Sequence, residues 1–321
     1  ICPSAHLPIC PSAHLPICPS ALGQKVKQHR RGGKEKGRRP RQTWYSRRQP
    51  PQAADTARRP LSTSTHREMK PAIVIAAFGT SPAALSAYHR IDAAVTARFA
   101  DSAIHWCYSA RGSRLLDTER YPSPAQVVAK LATAGVPCLV VQYLLLLPGR
   151  EFHDMQAVFR GGPLPFVPGM PLLTSPADYE TVGDLLLPTI AARPDKAILL
   201  LGHGTAHPTW TAYYALQTLL RRRFGQRLFV GVIEHYPDSS TLPEEIAAAG
   251  YKEVCLIPLL LVTATHFARD MVGDGPTTWT SRLAARGLAV EVIEHGLAGF
   301  PGCEALVVSH INQALDQLQG R

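Results

Sequence analysis

The feature that most constrains the fold is a pattern of apolar runs and turns that occurs twice along the chain. Ile73-Val-Ile-Ala-Ala-Phe-Gly-Thr80 matches Ile198-Leu-Leu-Leu-Gly-His-Gly-Thr205, and residues 144–155 match residues 259–271 in the same way. The apolar runs are typical of strands that are buried on both faces. Because both matches occur in the same order, the pattern indicates an internal duplication.

From Ala72 onward, short apolar runs alternate with amphipathic segments, which is the pattern of parallel sheets with crossover helices. Strands are predicted at 72–79, 103–109, 136–147, 166–173, 197–201, 228–234, 254–262 and 289–294. Helices are predicted at 83–100, 124–134, 152–159, 178–192, 209–224, 243–249, 278–286 and 304–318. The sequence therefore predicts two similar, doubly wound α/β domains, 69–194 and 195–321, with a cleft between them.

Residues 1–68 have the composition of a tail without packed structure. An eight-residue unit, Ile-Cys-Pro-Ser-Ala-His-Leu-Pro, occurs twice and begins a third time, with proline in every copy. The tail holds 14 of the 34 Lys and Arg residues and 3 of the 24 Asp and Glu residues. We expect a disordered basic tail, with Met69 as the true start of the protein. An Arg-rich targeting or nucleic-acid-binding arm is the alternative.

Composition and motifs argue against several classes of protein. The seven cysteines form no CxxC motif, so neither a disulfide framework nor a structural zinc site is indicated. The longest apolar run, 140–147, stops at Pro148 and is too short to cross a bilayer. The part after the tail lacks GxSxG, GxxxxGK[ST] and GxGxxG and is nearly neutral. We expect a cytoplasmic protein that needs no ATP and has neither a nucleic-acid nor a membrane partner.

Three potential metal ligands, His203, Glu234 and His266, follow three successive predicted strands of the second half. They are 31 and 32 residues apart, about the length of one βαβ unit. The carboxyl ends of parallel strands meet at one edge of a sheet, so these side chains should converge. Two imidazoles and one carboxylate suit a divalent Co, Fe, Ni or Zn ion and leave positions open for exchange.

The choice of carboxylate ligand has alternatives. Glu294 also ends a predicted strand, in a repeat of the Ile-Glu-His sequence that contains Glu234, and could replace it. Neighbouring strand residues face opposite sides, so only one of Glu234 and His235 should reach the cleft.

Two residues near the predicted ligands also have alternative roles. His207 lies four residues after His203, but the glycine and proline around it argue against a helical zinc pair. We expect His207 to line the pocket or to cap the following helix. Asp270 either orients His266 or is a solvated charge at a helix start.

With Gly202-His203-Gly204-Thr205, Ile233-Glu234-His235-Tyr236-Pro237 and residues 259–266 in view, the chain resembles the anaerobic-pathway sirohydrochlorin cobaltochelatases of the CbiK type. The resemblance covers about 69–318 and includes residues 78–81 and 175–179. It implies a class II, ATP-independent chelatase with a chelatase-like fold and a tetrapyrrole between two α/β domains. It also implies that His203 is metal ligand and proton acceptor, with Glu234 and His266 as the other ligands.

The function that this resemblance implies is insertion of Co²⁺ into sirohydrochlorin during cobalamin biosynthesis. Because sirohydrochlorin is a polycarboxylate, basic side chains should surround the cleft, and Arg111, Arg114, Arg150 and Arg269 are the candidates. Ligand type does not separate Co from Fe or Ni, so iron insertion for sirohaem is an alternative. Another alternative is a non-catalytic carrier of a metal or a tetrapyrrole. The sequence also leaves open whether the protein forms a homo-oligomer.

Overall fold

The computed structural model describes residues 70–79, 85–109, 119–264 and 266–320. These residues belong to one compact unit. The expectations for the tail at 1–68 and for a start at Met69 lie outside the described residues, as do Arg111 and Arg114.

Within the described residues, eight parallel strands form two sheets of four. The strands are β1 (Ala72–Ala77), β2 (Ile104–Tyr108), β3 (Leu139–Leu144), β4 (Phe166–Gly169), β5 (Ala197–Gly202), β6 (Leu228–Val232), β7 (Glu253–Leu259) and β8 (Ala289–Val292). Strand order is β2-β1-β3-β4 in the first sheet and β6-β5-β7-β8 in the second. The register is also equivalent, since Ile73 pairs with Val140 as Ile198 pairs with Cys255. The fold class predicted from the repeat is thereby confirmed.

The predicted helices are all present. They are α1 (His89–Arg98), α2 (Pro124–Thr133), α3 (Arg150–Arg160), α4 (Pro176–Ala191), α5 (Thr211–Phe224), α6 (Leu242–Ala248), α7 (Trp279–Ala284) and α8 (Cys303–Gln319). The starts of α2 and α4 are set locally, because Ser123 and Ser175 form capping boxes with Gln126 and Asp178. None of the helices in the described ranges is both long and apolar enough to cross a membrane.

Several predicted strands extend beyond the observed ladders. The run predicted at 136–147 contains β3, and Leu145 and Leu146 continue past it as loop residues. Their carbonyls accept hydrogen bonds from the backbones of Leu172 and Leu173. Apolar content therefore extends beyond the strand because the loop also packs against the core.

The core has a central helical layer that both sheets share. One cluster of buried residues includes Ile75 of β1 and Leu200 of β5, together with residues of α1, α4, α5 and α8. The opposite face of β1 packs in a second cluster with Phe152, and that of β5 in a third with Trp279. Both faces of each sheet are covered, which explains the uninterrupted apolar runs of β1 and β5.

The last helix, α8, packs against the first half of the chain. Arg90 of α1 donates to Glu304 at 3.0 Å and Arg98 donates to Asn312 at 3.4 Å. His310, in the middle of α8, contacts Asp178 at 2.9 Å. The division into domains at 194 and 195 stays a prediction, and α8 crosses that boundary in space.

Candidate metal site

His203 lies directly after β5, at the carboxyl edge of the second sheet. Its ring is partly buried, and Nδ1 is 3.1 Å from the carbonyl oxygen of Gly204. A carbonyl oxygen only accepts hydrogen bonds, so Nδ1 carries the hydrogen in the neutral ring. The lone pair of the His203 imidazole is therefore at Nε2.

His266 follows β7 and precedes a π-helical turn, Phe267–Met271. Its Nδ1 is 2.8 Å from Oδ2 of Asp270, and its Nε2 is 3.3 Å from Nε2 of His203. The two rings are nearly perpendicular, with centroids 4.5 Å apart. Because a carboxylate accepts the hydrogen of Nδ1, Nε2 of His266 is also a lone-pair nitrogen in the neutral ring. The structure thus brings together two histidines that are far apart in the sequence.

Glu234 lies two residues beyond the end of β6, and its Oε1 is 3.3 Å from Nε2 of His203. His235 has a φ of 62° and places its Nε2 3.6 Å from the same oxygen. β6 ends at Val232, so the alternation of strand side chains does not extend to Glu234 and His235. That only one of them reaches the cleft stays a prediction. Glu234 contacts His203, and His235 contacts Glu234.

Three acceptor groups therefore meet around Nε2 of His203. Two imidazole lone pairs and a carboxylate supply no hydrogen to one another when the rings are neutral, so the cluster can take up either a proton or a metal ion. Ligand atoms about 2.1 Å from one metal ion are about 3.0–3.4 Å apart, which agrees with the two contacts of His203. Within the described ranges, no group of three or more His, Cys, Asp or Glu side chains already surrounds one point. Binding through all three groups requires Glu234 or His266 to turn towards the ion.

The chain matches the model of the cobalt chelatase (CbiK) family over residues 71–316. The chain belongs to that family. A sirohydrochlorin cobaltochelatase, CbiKC, of Nitratidesulfovibrio vulgaris strain Hildenborough is 29% identical over 270 residues, which are 80% of this chain and 95% of that protein. A sirohydrochlorin cobaltochelatase of Salmonella typhimurium strain LT2 is 31% identical over 201 residues, 60% of this chain and 75% of that protein.

A solved structure, SirB from Bacillus subtilis with Fe³⁺, has the same fold. Its TM-score is 0.57 at 15% identity, with 79% of this chain and 98% of that chain covered. At this identity the similarity concerns the fold alone, and it agrees with the chelatase-like α/β architecture predicted for this chain.

Two other possible site residues named from the sequence, Glu294 and His207, make no contact with His203, Glu234 or His266 that the described residues show. The carboxylate of Glu294 makes no hydrogen bond or ion pair with any described residue, although its backbone carbonyl accepts from Thr263 at 3.0 Å. His207 caps the turn before α5, because its Nδ1 accepts from the Thr209 backbone at 3.3 Å. The cap predicted for His207 is confirmed. The centroid of its ring is 5.2 Å from that of His153, in the first half of the chain.

Two of the predicted substrate arginines already have carboxylate partners within the chain. Arg269 donates to Asp270 through Nε at 2.7 Å and through Nη2 at 2.9 Å. Arg150 is 3.7 Å from Asp154, one turn along α3. Their contact with a substrate carboxylate stays a prediction.

Sequence reasoning missed how closely the loop after β5 approaches the loop after β6. Gly204 has a φ of +90°, and a Cβ there would lie 1.7 Å from the carbonyl oxygen of Glu234. Its N–H donates to the hydroxyl of Tyr213 at 3.1 Å. The sequence shows a glycine next to His203, but its periodicity does not indicate that the loop after β6 lies against this glycine.

We expect Gly204→Ala to displace Glu234 and to weaken Co²⁺ binding. The left-handed backbone alone costs an alanine about 1 kcal/mol, and the overlap with Glu234 adds to this. Gly250→Ala is the matched control, because Gly250 has a φ of +89° but nothing within 4 Å of its Cβ position. Urea unfolding and direct Co²⁺ titration of both variants measure the effect. Equal losses of stability and unchanged Co²⁺ affinity would contradict the close approach.

Proposed function

We propose that this protein inserts Co²⁺ into sirohydrochlorin without ATP, in the cytoplasm. The observation that carries the proposal is the meeting of two imidazoles and a carboxylate at Nε2 of His203, at 3.3 Å from each partner. Membership of the cobalt chelatase family and the names of the two relatives support Co²⁺ as the metal and sirohydrochlorin as the acceptor. Cysteines without short spacings suit a reducing compartment.

The reaction requires the metal ion to lose water and the macrocycle to lose two pyrrole N–H protons. His203, Glu234 and His266 are proposed to bind the entering Co²⁺, since N and O donors suit this ion and exchange readily at an open site. His203 is also proposed to accept one pyrrole proton at Nε2 once the ion has passed from that nitrogen to the macrocycle, and the second proton passes to solvent. The His203 side chain is 39% exposed. No nucleotide is needed, since no phosphoryl transfer drives these steps.

An anaerobic metal-competition assay on the full chain tests the metal and the catalytic role together. We expect sirohydrochlorin to be converted over many turnovers with Co²⁺ and no ATP, followed by its absorption spectrum. Parallel reactions with Fe²⁺ and Ni²⁺ give the kcat/KM for each ion, and a higher value for Fe²⁺ would indicate a ferrochelatase. Conversion that stops after one equivalent would indicate a carrier, and a requirement for ATP would contradict the mechanism.

A further inference from the structure

Asp270 and Arg269 lie on the turn that follows His266, outside the three proposed ligands. Both oxygens of Asp270 are engaged: Oδ1 accepts from Nε of Arg269 at 2.7 Å, and Oδ2 accepts from Nη2 of Arg269 at 2.9 Å. Oδ2 also accepts from Nδ1 of His266 at 2.8 Å. The side chain of Asp270 is 22% exposed and that of Arg269 is 65% exposed. Asp270 is therefore not the freely solvated charge that the sequence left open.

We infer that Arg269 and Asp270 are a positioning pair that holds His266 ready to bind the metal. The two-point contact with the guanidinium fixes the plane of the carboxylate. The carboxylate then fixes the hydrogen on Nδ1 of His266, so that Nε2, which faces His203, keeps its lone pair. A carboxylate behind a histidine ligand also increases the basicity of the ligating nitrogen. The inference rests on the proposed function, since it assigns His266 to the metal.

A comparison of the two halves of the repeat shows that they differ where this pair lies. Phe152 and Met155 are three residues apart in the first half, whereas the matching Phe267 and Met271 are four apart. The first segment lies in the regular helix α3, but the second forms the π-helical turn, in which the N–H of Val272 donates to the Phe267 carbonyl at 3.1 Å. Single π turns of this kind occur often at functional sites.

The extra residue changes the spacing of the acidic side chain. In the second half, Asp270 is four residues after His266, whereas in the first half Asp154 is three residues after Glu151. The residue directly before the aspartate is Arg269 in the second half and His153 in the first half. A histidine with a carboxylate one turn later, and an arginine beside that carboxylate, therefore occur together only in the half that carries His203.

Electrostatics agrees with this arrangement. The guanidinium of Arg269, and the hydrogen bond from His266 after it, hold the pKa of the Asp270 carboxyl below its usual range. The contact with Asp270 also raises the pKa of Arg269.

The test uses the full chain with Asp270→Asn and Arg269→Gln. Asp274→Asn is the matched control, an exposed acid four residues further along that makes no ion pair within the described residues. Titration with Co²⁺ in the absence of sirohydrochlorin should show a dissociation constant about 10–100-fold higher for Asp270→Asn and a smaller increase for Arg269→Gln. Asp274→Asn should remain within twofold of the unaltered protein.

A spectroscopic measurement separates positioning from a general loss of structure. With ¹⁵N-labelled histidine, the metal-free protein should show His266 with its hydrogen on Nδ1, and Asp270→Asn should shift the ring towards the Nε2–H tautomer. The His266 signal is assigned by its loss in His266→Gln. The inference is overturned if Asp270→Asn binds Co²⁺ within twofold of the unaltered protein and keeps the Nδ1–H tautomer.

These measurements also separate this inference from the proposed function. If the unaltered protein binds Co²⁺ in an Asp270-dependent way but never metallates sirohydrochlorin, the function is wrong and the positioning pair stands. If it metallates sirohydrochlorin and Asp270→Asn changes neither affinity nor tautomer, the positioning pair is wrong and the function stands. Should Asp270→Asn fail to fold, Arg269→Gln, which keeps Asp270 in place, decides by the same two readouts.

Discussion

His203→Ala is expected to lower kcat/KM for Co²⁺ insertion by about a thousandfold or more. General-base catalysis alone contributes about 10²–10⁴-fold, and this substitution also removes a proposed metal ligand. His203 is the shared member of the cluster, because its Nε2 is 3.3 Å from both Glu234 and His266. Removing it leaves those two groups without a common partner. The initial rate of spectral conversion of sirohydrochlorin, measured over a range of subsaturating Co²⁺ concentrations, gives the loss.

The fold should survive this change, because the His203 side chain is 39% exposed and lies in the loop after β5. Circular dichroism and the Tm of the variant check this point. His89→Ala serves as the control, since His89 is an exposed residue at the start of α1. Activity of His203→Ala within tenfold of the unaltered protein would show that another group accepts the proton.

The second large effect is expected for Asp178→Ala, which should lower the free energy of unfolding by about 3–5 kcal/mol. Asp178 and His310 are 2.9 Å apart and almost fully buried, at 6% and 3% side-chain exposure. The same carboxylate accepts from the backbones of Thr174 at 2.9 Å and Ser175 at 2.7 Å. Its loss leaves these N–H groups and Nε2 of His310 unpaired, while Nδ1 of His310 keeps its contact with the Met170 carbonyl at 2.8 Å.

Asp184→Ala is the matched control for this experiment. Asp184 lies on the same helix and pairs with Arg223 at 2.6 Å, but its side chain is 67% exposed. An exposed pair of this kind contributes at most about 1 kcal/mol. Urea unfolding of both variants measures the difference. Equal destabilisation by the two substitutions would contradict the proposed role of the buried pair in docking α8.

The stabilisation by Asp178 should also depend on pH. Burial by itself would raise the pKa of Asp178, but hydrogen bonds from the Thr174 backbone, His310 and the Ser175 backbone outweigh it and hold the pKa below its usual value. A carboxyl with a depressed pKa in the folded state stabilises the protein above the pKa of the unfolded chain, about 3.9. The difference in stability between the unaltered protein and Asp178→Ala should therefore shrink as the pH falls below about 4. A difference that grows at acidic pH would contradict this linkage.

The order of strands and helices was predictable because both sheets are covered on both faces. Complete burial produces the continuous apolar runs of β1 and β5, which stand out from the amphipathic helices between them. Strand ends were less predictable. Leu145 and Leu146 follow β3 as loop residues but are as apolar as the strand, because the loop packs on the core.

What the sequence by itself determined is the duplicated α/β frame and the convergence of His203 and His266 at one sheet edge. The alternation of strands and helices places residues about one βαβ unit apart side by side, whatever the loops contain. Only the tertiary structure decided that Glu234, and not Glu294, lies against His203, and that Asp270 contacts His266. These contacts depend on the backbone path after each strand, such as the left-handed residue at His235 and the π turn at 267–271, which side-chain periodicity does not determine.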